Sequence, residues 1–191
     1  MELFRNIRLK IGKAFLKKKI DRTGKKVNYS NFNLVKNIGI LWDATKPDEF
    51  QSLVKFQQNM QRRNIEVNIL GYFPGKKLPD KYTAIRYLTC IRKNELNLFY
   101  HPISSEANTF INKQFDILID INFKKLFPLQ YISALSNAGF KVGLFESEAM
   151  NTPFNLLMEI KDPVDIDNYL IQIVEYLEII NSGQEKQIIK I

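Results

Sequence analysis

Apolar residues in this chain fall into short continuous runs, separated by stretches in which they recur every three or four positions. That alternation marks buried strands interleaved with amphipathic helices. The first run, residues 37–43 (NIGILWD), is followed by Thr45-Lys46-Pro47-Asp48, which offers an N-cap, a proline near the first helical position and an acid in the first turn. Phe50, Leu53, Val54 and Met60 then repeat near the 3.6-residue period, and residues 65–73 (IEVNILGYF) read as the next strand. The unit is βαβ, for which parallel pairing and a right-handed crossover are expected.

Residues 71–79 (GYFPGKKLP) form a loop by their Gly and Pro content. The runs 85–91 and 96–100 are expected to pair as a hairpin across residues 92–95, with a helix over 85–91 as the open alternative. A short helix over 104–113 precedes the strand 115–121 (FDILIDI). The helix over 128–137 places Leu129, Ile132 and Leu135 on one face and is expected to stop at Gly139 in the left-handed conformation. Strands over 140–145 and 154–160, the latter read as the last, precede a helix that starts at Asp162-Pro163 and carries Ile166, Leu170, Ile173, Leu177 and Ile180. Strands alternating with helices predict an α/β domain, a Rossmann-like three-layer sandwich of about six mostly parallel strands.

The first 26 residues break this pattern. They hold ten Lys or Arg and two acids, a net of +8, and the whole chain is also +8, so the remaining residues balance. On a helical wheel Leu3, Phe4, Ile7, Ile11, Ala14 and Phe15 share one arc, whereas Leu9, Leu16 and Ile20 lie opposite and Gly12 interrupts the middle. A two-sided helix of this kind packs on its own domain or a partner with one stripe and leaves the other free. Residues 25–32 (KKVNYSNF) are polar and weakly patterned, and the division falls there: a basic helical extension over 1–30 and a single α/β domain over 31–191. Through Arg5, Arg8, Lys10, Lys13, Lys17, Lys18, Lys19 and Arg22 the extension is expected to meet an anionic membrane surface or a partner protein, with RNA as a further polyanion.

With 45% hydrophobic residues the chain has the composition of a globular protein. Cys90 is the only cysteine and His101 the only histidine, so neither a disulfide nor a Cys/His zinc cage is expected, and no metal or cofactor is assigned. No uninterrupted apolar run is long enough to span a membrane and no secretory signal precedes the first element. A cytoplasmic location follows, with attachment to the inner face of the membrane as an option.

In an open parallel sheet, ligands sit beyond the carboxyl ends of the strands. The residues expected there are Asp43, Tyr72, His101, Asp120 with Asn122, and Glu146. Asp43, Asp120 and His101 are the candidates for catalysis, and Thr45, Tyr72, Asn122 and Glu146 for binding a ligand of unknown identity. Asp43 stands directly before a helix start, where an anion or a hydroxyl is well placed; capping of the helix by Asp43 or Thr45 is the alternative. W-D-A-T-K replaces any G-x-G-x-x-G after the first strand, and neither G-x-x-x-x-G-K-[ST] nor G-x-S-x-G occurs. Dinucleotide oxidoreductases, P-loop NTPases and ordinary α/β-hydrolases are thereby disfavoured.

Residues 115–143 (FDILIDINFKKLFPLQYISALSNAGFKVG) resemble part of the N-terminal domain of heptosyltransferase-like GT-B glycosyltransferases. In that family a strand of the type Y-D-[LV]-[LV]-I-D leads to a helix with A-x-L-S-x-A and a strand opening R-I-G. The matching positions are 115–120, 134–138 and 141–143. The resemblance implies the fold. It also implies a catalytic aspartate after the first strand, for which only Asp43 stands near the expected place, and a second, donor-binding domain for which the chain has no room. The basic start, ILWDATKPDEF, FDILIDI and FPLQYISALSNAGFKVG together resemble a family of small uncharacterised conserved bacterial proteins, which implies no activity. The reading reached is a binding or scaffolding module working through its basic arm, with a glycosyltransferase-like enzyme or ligand binder at the strand ends, and an RNA-associated protein, as alternatives.

Overall fold

The computed structural model describes residues 2–20, 27–29, 31–145, 152–159, 165–180 and 187–189. Its strands are β1 (Asn37–Asp43), β2 (Glu66–Phe73), β3 (Leu88–Arg92), β4 (Ile117–Asp120), β5 (Phe140–Leu144), β6 (Leu156–Met158) and β7 (Gln187–Ile189). All pair in parallel, in the order β3-β2-β1-β4-β5-β6-β7. The α/β, Rossmann-like reading holds, with a seventh, three-residue edge strand beyond the one read as last. The order reverses between β1 and β4, and a crevice opens at such a switch point beyond the strand ends.

The helices are α1 (Glu2–Ile20), α2 (Phe50–Arg62), α3 (Ser105–Asn112), α4 (Phe127–Leu135) and α5 (Ile166–Ile179). Alternation along β1 sends Ile38, Ile40 and Trp42 into the core shared with α2 and α5, and Leu41 into the core shared with α3 and α4. Near-continuous burial of β1 reflects cover on both faces. α1 forms an outer layer, with Leu16 buried against Phe127, Tyr131, Ala134 and Leu135 of α4.

Three local expectations are corrected. Residues 85–100 make no hairpin: β3 runs parallel to β2, from Ile69↔Leu88 to Phe73↔Arg92, and Leu96 forms only an isolated antiparallel bridge with Pro102. The segment between β2 and β3 crosses a sheet face, where Tyr82 packs edge-on against Trp42 and Phe50. Thr45 does not cap α2, because its N–H and Oγ1 both donate to Oδ1 of Asp43, at 3.0 and 2.6 Å, and a 3-10 turn Pro47–Glu49 intervenes. α4 ends on an extended Ser136, not on a left-handed glycine. Gly139 serves close approach instead, since a Cβ there lies 2.8 Å from the carbonyl oxygen of Asn28.

The polar-looking stretch before β1 also supplies core. Tyr29 packs on Phe140 and donates its hydroxyl to the carbonyl oxygen of Leu177, and Phe32 is fully buried. Burial, with Glu178 nearby, pushes the Tyr29 phenol up to about 12. The expected helix start at Asp162-Pro163 lies outside the described residues; α5 is capped by Asp165, whose carboxylate accepts from the Asn168 N–H at 3.2 Å.

Candidate functional site

The end of β1 delivers Asp43 to the switch point with its side chain almost wholly buried, 3% exposed. Oδ1 is filled by the two donors of Thr45. Oδ2 is buried without a hydrogen bond, and Lys124 Nζ stands 3.7 Å away. A buried carboxylate oxygen lacking a donor costs free energy and is rare unless something else fills it.

A cavity of about 560 Å³ opens beside Asp43 and is bounded by α1, the β2 end and the loop before α4. Among the described residues its wall carries Arg5, Lys13, Lys93, Lys124 and Lys125, with Asp43 as its one carboxylate. Tyr72 and Tyr100 supply ring surface, and burial, with Tyr100 nearby, raises the Tyr72 phenol above its usual range. Tyr100 and Lys125 both hold positive φ, 62° and 56°, a conformation that costs free energy outside glycine. The first turn of α4 has no side-chain cap and faces the same cavity through Leu126, Phe127 and Pro128.

A second cavity, about 280 Å³, lies across α4 and contains Asp120 and Asn122. Both are committed to the loop: Asp120 Oδ1 accepts from the Asn122 N–H at 2.9 Å, and the Asn122 amide exchanges hydrogen bonds with the backbone of Leu126. Asp120 also lies near the fully buried Tyr169, whose phenol is raised first by burial and then by that carboxylate. Asp43 and Thr45 therefore share a site with Tyr72, whereas Asp120 and Asn122 line a different cavity. Among the described residues no group of three His, Cys, Asp or Glu is placed to hold a metal ion.

His101 sits under α1. Its Nε2 lies 3.0 Å from the carbonyl oxygen of Gly12, so that nitrogen carries the proton in this contact, and its ring stacks on Tyr131 at 4.6 Å. Arg8 donates to the carbonyl oxygen of Leu98 at 2.6 Å with its guanidinium over the Tyr100 ring, and Lys19 donates to the Tyr131 hydroxyl at 2.9 Å. Thus Arg8 and Lys19 hold the helix down, Arg5 and Lys13 face the cavity, and Lys10, Lys17 and Lys18 are exposed. Glu146 and Arg22 fall outside the described residues.

Docking through Leu9, Gly12 and Leu16 turns the other stripe of α1 outward. Leu3, Phe4, Ile7, Ile11 and Phe15 are all exposed, Phe4 by 73%. Lys93, Lys124, Lys125 and Tyr100 were not among the residues singled out by sequence. The pair Lys124-Lys125 follows a strand end by only a few residues, which is the one signal that pointed there.

The fold and this crevice define a doubly wound α/β domain with a basic, switch-point pocket roofed by its N-terminal helix. The chain belongs to a family of unknown function, DUF6913, whose model matches residues 8–180. That match spans the docked part of α1 as well as the sheet through α5, and it carries no glycosyltransferase resemblance. No curated protein matches the sequence.

Proposed function

We propose that the protein is a peripheral module that docks on an anionic membrane surface through the outward stripe of α1. The supporting observation is that a helix already fixed to its own domain leaves Leu3, Phe4, Ile7 and Ile11 exposed, with Phe15 half exposed beside Phe99. Contiguous apolar surface of this kind on a folded protein marks a contact site. Lys10 and Lys17 border one edge of the stripe on the wheel, and Lys18 lies at its C-terminal end. An apolar face bordered by lysines is the arrangement that lies in a bilayer interface, where each Lys or Arg near anionic lipid contributes about 1 kcal/mol. Among the described residues no helix is long and apolar enough to cross a membrane, so attachment through described helices is to the surface.

Co-sedimentation with phosphatidylcholine vesicles, with and without phosphatidylglycerol, tests this. Binding that needs the anionic lipid and falls at least about tenfold in the Leu3→Ser/Phe4→Ser variant is the expected result. Equal binding by that variant sinks the membrane reading. Displacement of the protein from vesicles by competing RNA, with the variant still holding RNA, favours the nucleic-acid alternative instead. A protein that ignores both vesicles and RNA leaves the stripe to a protein partner.

A further inference from the structure

We propose that the crevice between α1 and the β1/β4 switch point binds a phosphorylated sugar or polyol, with a ligand hydroxyl donating to Oδ2 of Asp43 and the phosphate held by the surrounding cations. This inference concerns the inward side of α1 and does not depend on what its outward stripe meets.

Three observations converge on that chemistry. Asp43 is buried in the cavity wall, its Oδ1 is satisfied by Thr45, and its Oδ2 is a buried oxygen with no hydrogen bond and only the ion pair to Lys124. An ionised carboxylate only accepts, so the missing partner is a donor such as a hydroxyl. Among the described residues the same cavity is lined by Arg5, Lys13, Lys93 and Lys124 against that single carboxylate, an excess of positive charge that calls for an anion. The uncapped first turn of α4 adds the positive end of its dipole to this wall.

Neither half of the ligand suffices alone. A neutral sugar offers no anion to Arg5, Lys13 and Lys93, and a bare phosphate meets Asp43 as a like charge and competes with it for Lys124, 3.7 Å from Oδ2. A molecule carrying a hydroxyl and a phosphate a few bonds apart satisfies both. At about 560 Å³ the cavity falls within the size range of small-molecule sites. Tyr72, Tyr100 and Pro128 offer flat or apolar surface to a sugar ring. A phosphoinositol lipid headgroup and a free sugar phosphate share this chemistry.

Isothermal titration of the full chain with glucose 6-phosphate, glucose and inorganic phosphate separates the contributions. Glucose 6-phosphate is expected to bind at least about tenfold more tightly than either fragment, the equivalent of one hydrogen bond to a charged group. Asp43→Asn is expected to cost glucose 6-phosphate about tenfold while inorganic phosphate, relieved of a like charge, binds at least as well as to the wild type. Lys93→Ala, at an exposed rim position that the fold does not need, is expected to weaken both. Vesicles containing phosphatidylinositol, set against phosphatidylglycerol at equal mole fraction, identify the source. A preference for inositol lipid that Asp43→Asn abolishes points to a headgroup, and binding of soluble glucose 6-phosphate without that preference points to a free metabolite. No saturable binding of glucose 6-phosphate or inositol lipid by the wild type overturns the proposal. So does an unchanged glucose 6-phosphate affinity in Lys93→Ala, or in an Asp43→Asn protein that melts like the wild type.

Discussion

Nε2 of His101 lies 3.0 Å from the carbonyl oxygen of Gly12, tying the loop after β3 to the middle of the N-terminal helix. Glycine at that point is a matter of distance. A Cβ on residue 12 falls 2.3 Å from the carbonyl oxygen of Phe99, a backbone atom that cannot swing aside. The residue that weakens α1 as an isolated helix is the one that lets it dock.

Gly12→Ala accordingly has opposite effects on the helix and on the protein. Alanine favours an isolated helix by about 1 kcal/mol, yet here it pushes α1 off Phe99 and His101. Hydrogen exchange across residues 2–20 is expected to accelerate in this variant while β1, β2 and β4 stay protected. His101→Ala, which removes one hydrogen bond worth about 1 kcal/mol and a stacked ring, gives a smaller acceleration of the same segment. Unchanged exchange in Gly12→Ala rules out the described docking.

Lys141 in β5 is buried, and its Nζ donates to the carbonyl oxygens of Ser133 and Ala134 at 2.7 and 3.2 Å. Those carbonyls belong to the last turn of α4, where a cation also meets the negative end of the helix dipole. Lys141→Met keeps the stem volume and strands the carbonyls. Urea unfolding is expected to show a loss of about 2–3 kcal/mol, the scale for breaking charged hydrogen bonds in a buried site. A loss within about 0.5 kcal/mol, typical of surface changes, contradicts that role.

Alkaline pH probes two other groups, the half-buried Cys90 and the buried Tyr29. Burial pushes the Cys90 thiol from 9.0 up to about 12, against a lowering hydrogen bond from the Gly71 backbone, and the Tyr29 phenol from 10.0 up to about 12. Each group keeps its proton longer in the folded chain than in the unfolded one. The unfolded state therefore deprotonates first, and stability, complete below about pH 9, falls as pH rises toward about 12. Melting temperatures measured upward from about pH 8 are expected to decline along this limb, and Cys90→Ala to make the decline shallower above about pH 9. A Cys90→Ala curve parallel to the wild type excludes the thiol as a contributor.

The strands that read clearly, β1, β2, β4 and β5, are those whose burial on both faces produces unbroken apolar runs. β3 escaped because its pairing partner, β2, comes earlier in the chain and reaches it by a parallel crossover, so that local pattern suggested a neighbour at 96–100 instead. Tyr29 and Phe32 hid in a polar context, since isolated aromatics carry no period. Asp43 was legible as the polar end of a buried run. Lys93, Lys124 and Lys125 were not, because a loop lysine has no distinguishing pattern until the strand order sets the loop after β4 beside the end of β1. The two-sided wheel of α1 announced two contacts, but only Gly12 decides which side faces the domain.

That orientation separates two contributions to membrane attachment and makes them independently measurable. Lys10, Lys17 and Lys18 are exposed on α1, so a Lys10→Gln/Lys17→Gln/Lys18→Gln variant removes attraction to anionic lipid without touching the docking contacts of Arg8 and Lys19. At about 1 kcal/mol for each charge, the expected loss of vesicle binding is roughly 100-fold at low salt and shrinks as ionic strength shortens the screening length. Leu3→Ser/Phe4→Ser removes apolar burial instead, and its loss is expected to stay nearly constant across the same salt series. Two variants on one helix therefore differ in salt slope, not only in affinity. If both track the wild-type slope in parallel, the charges and the apolar stripe do not act on the same surface, and α1 is not a membrane-facing helix.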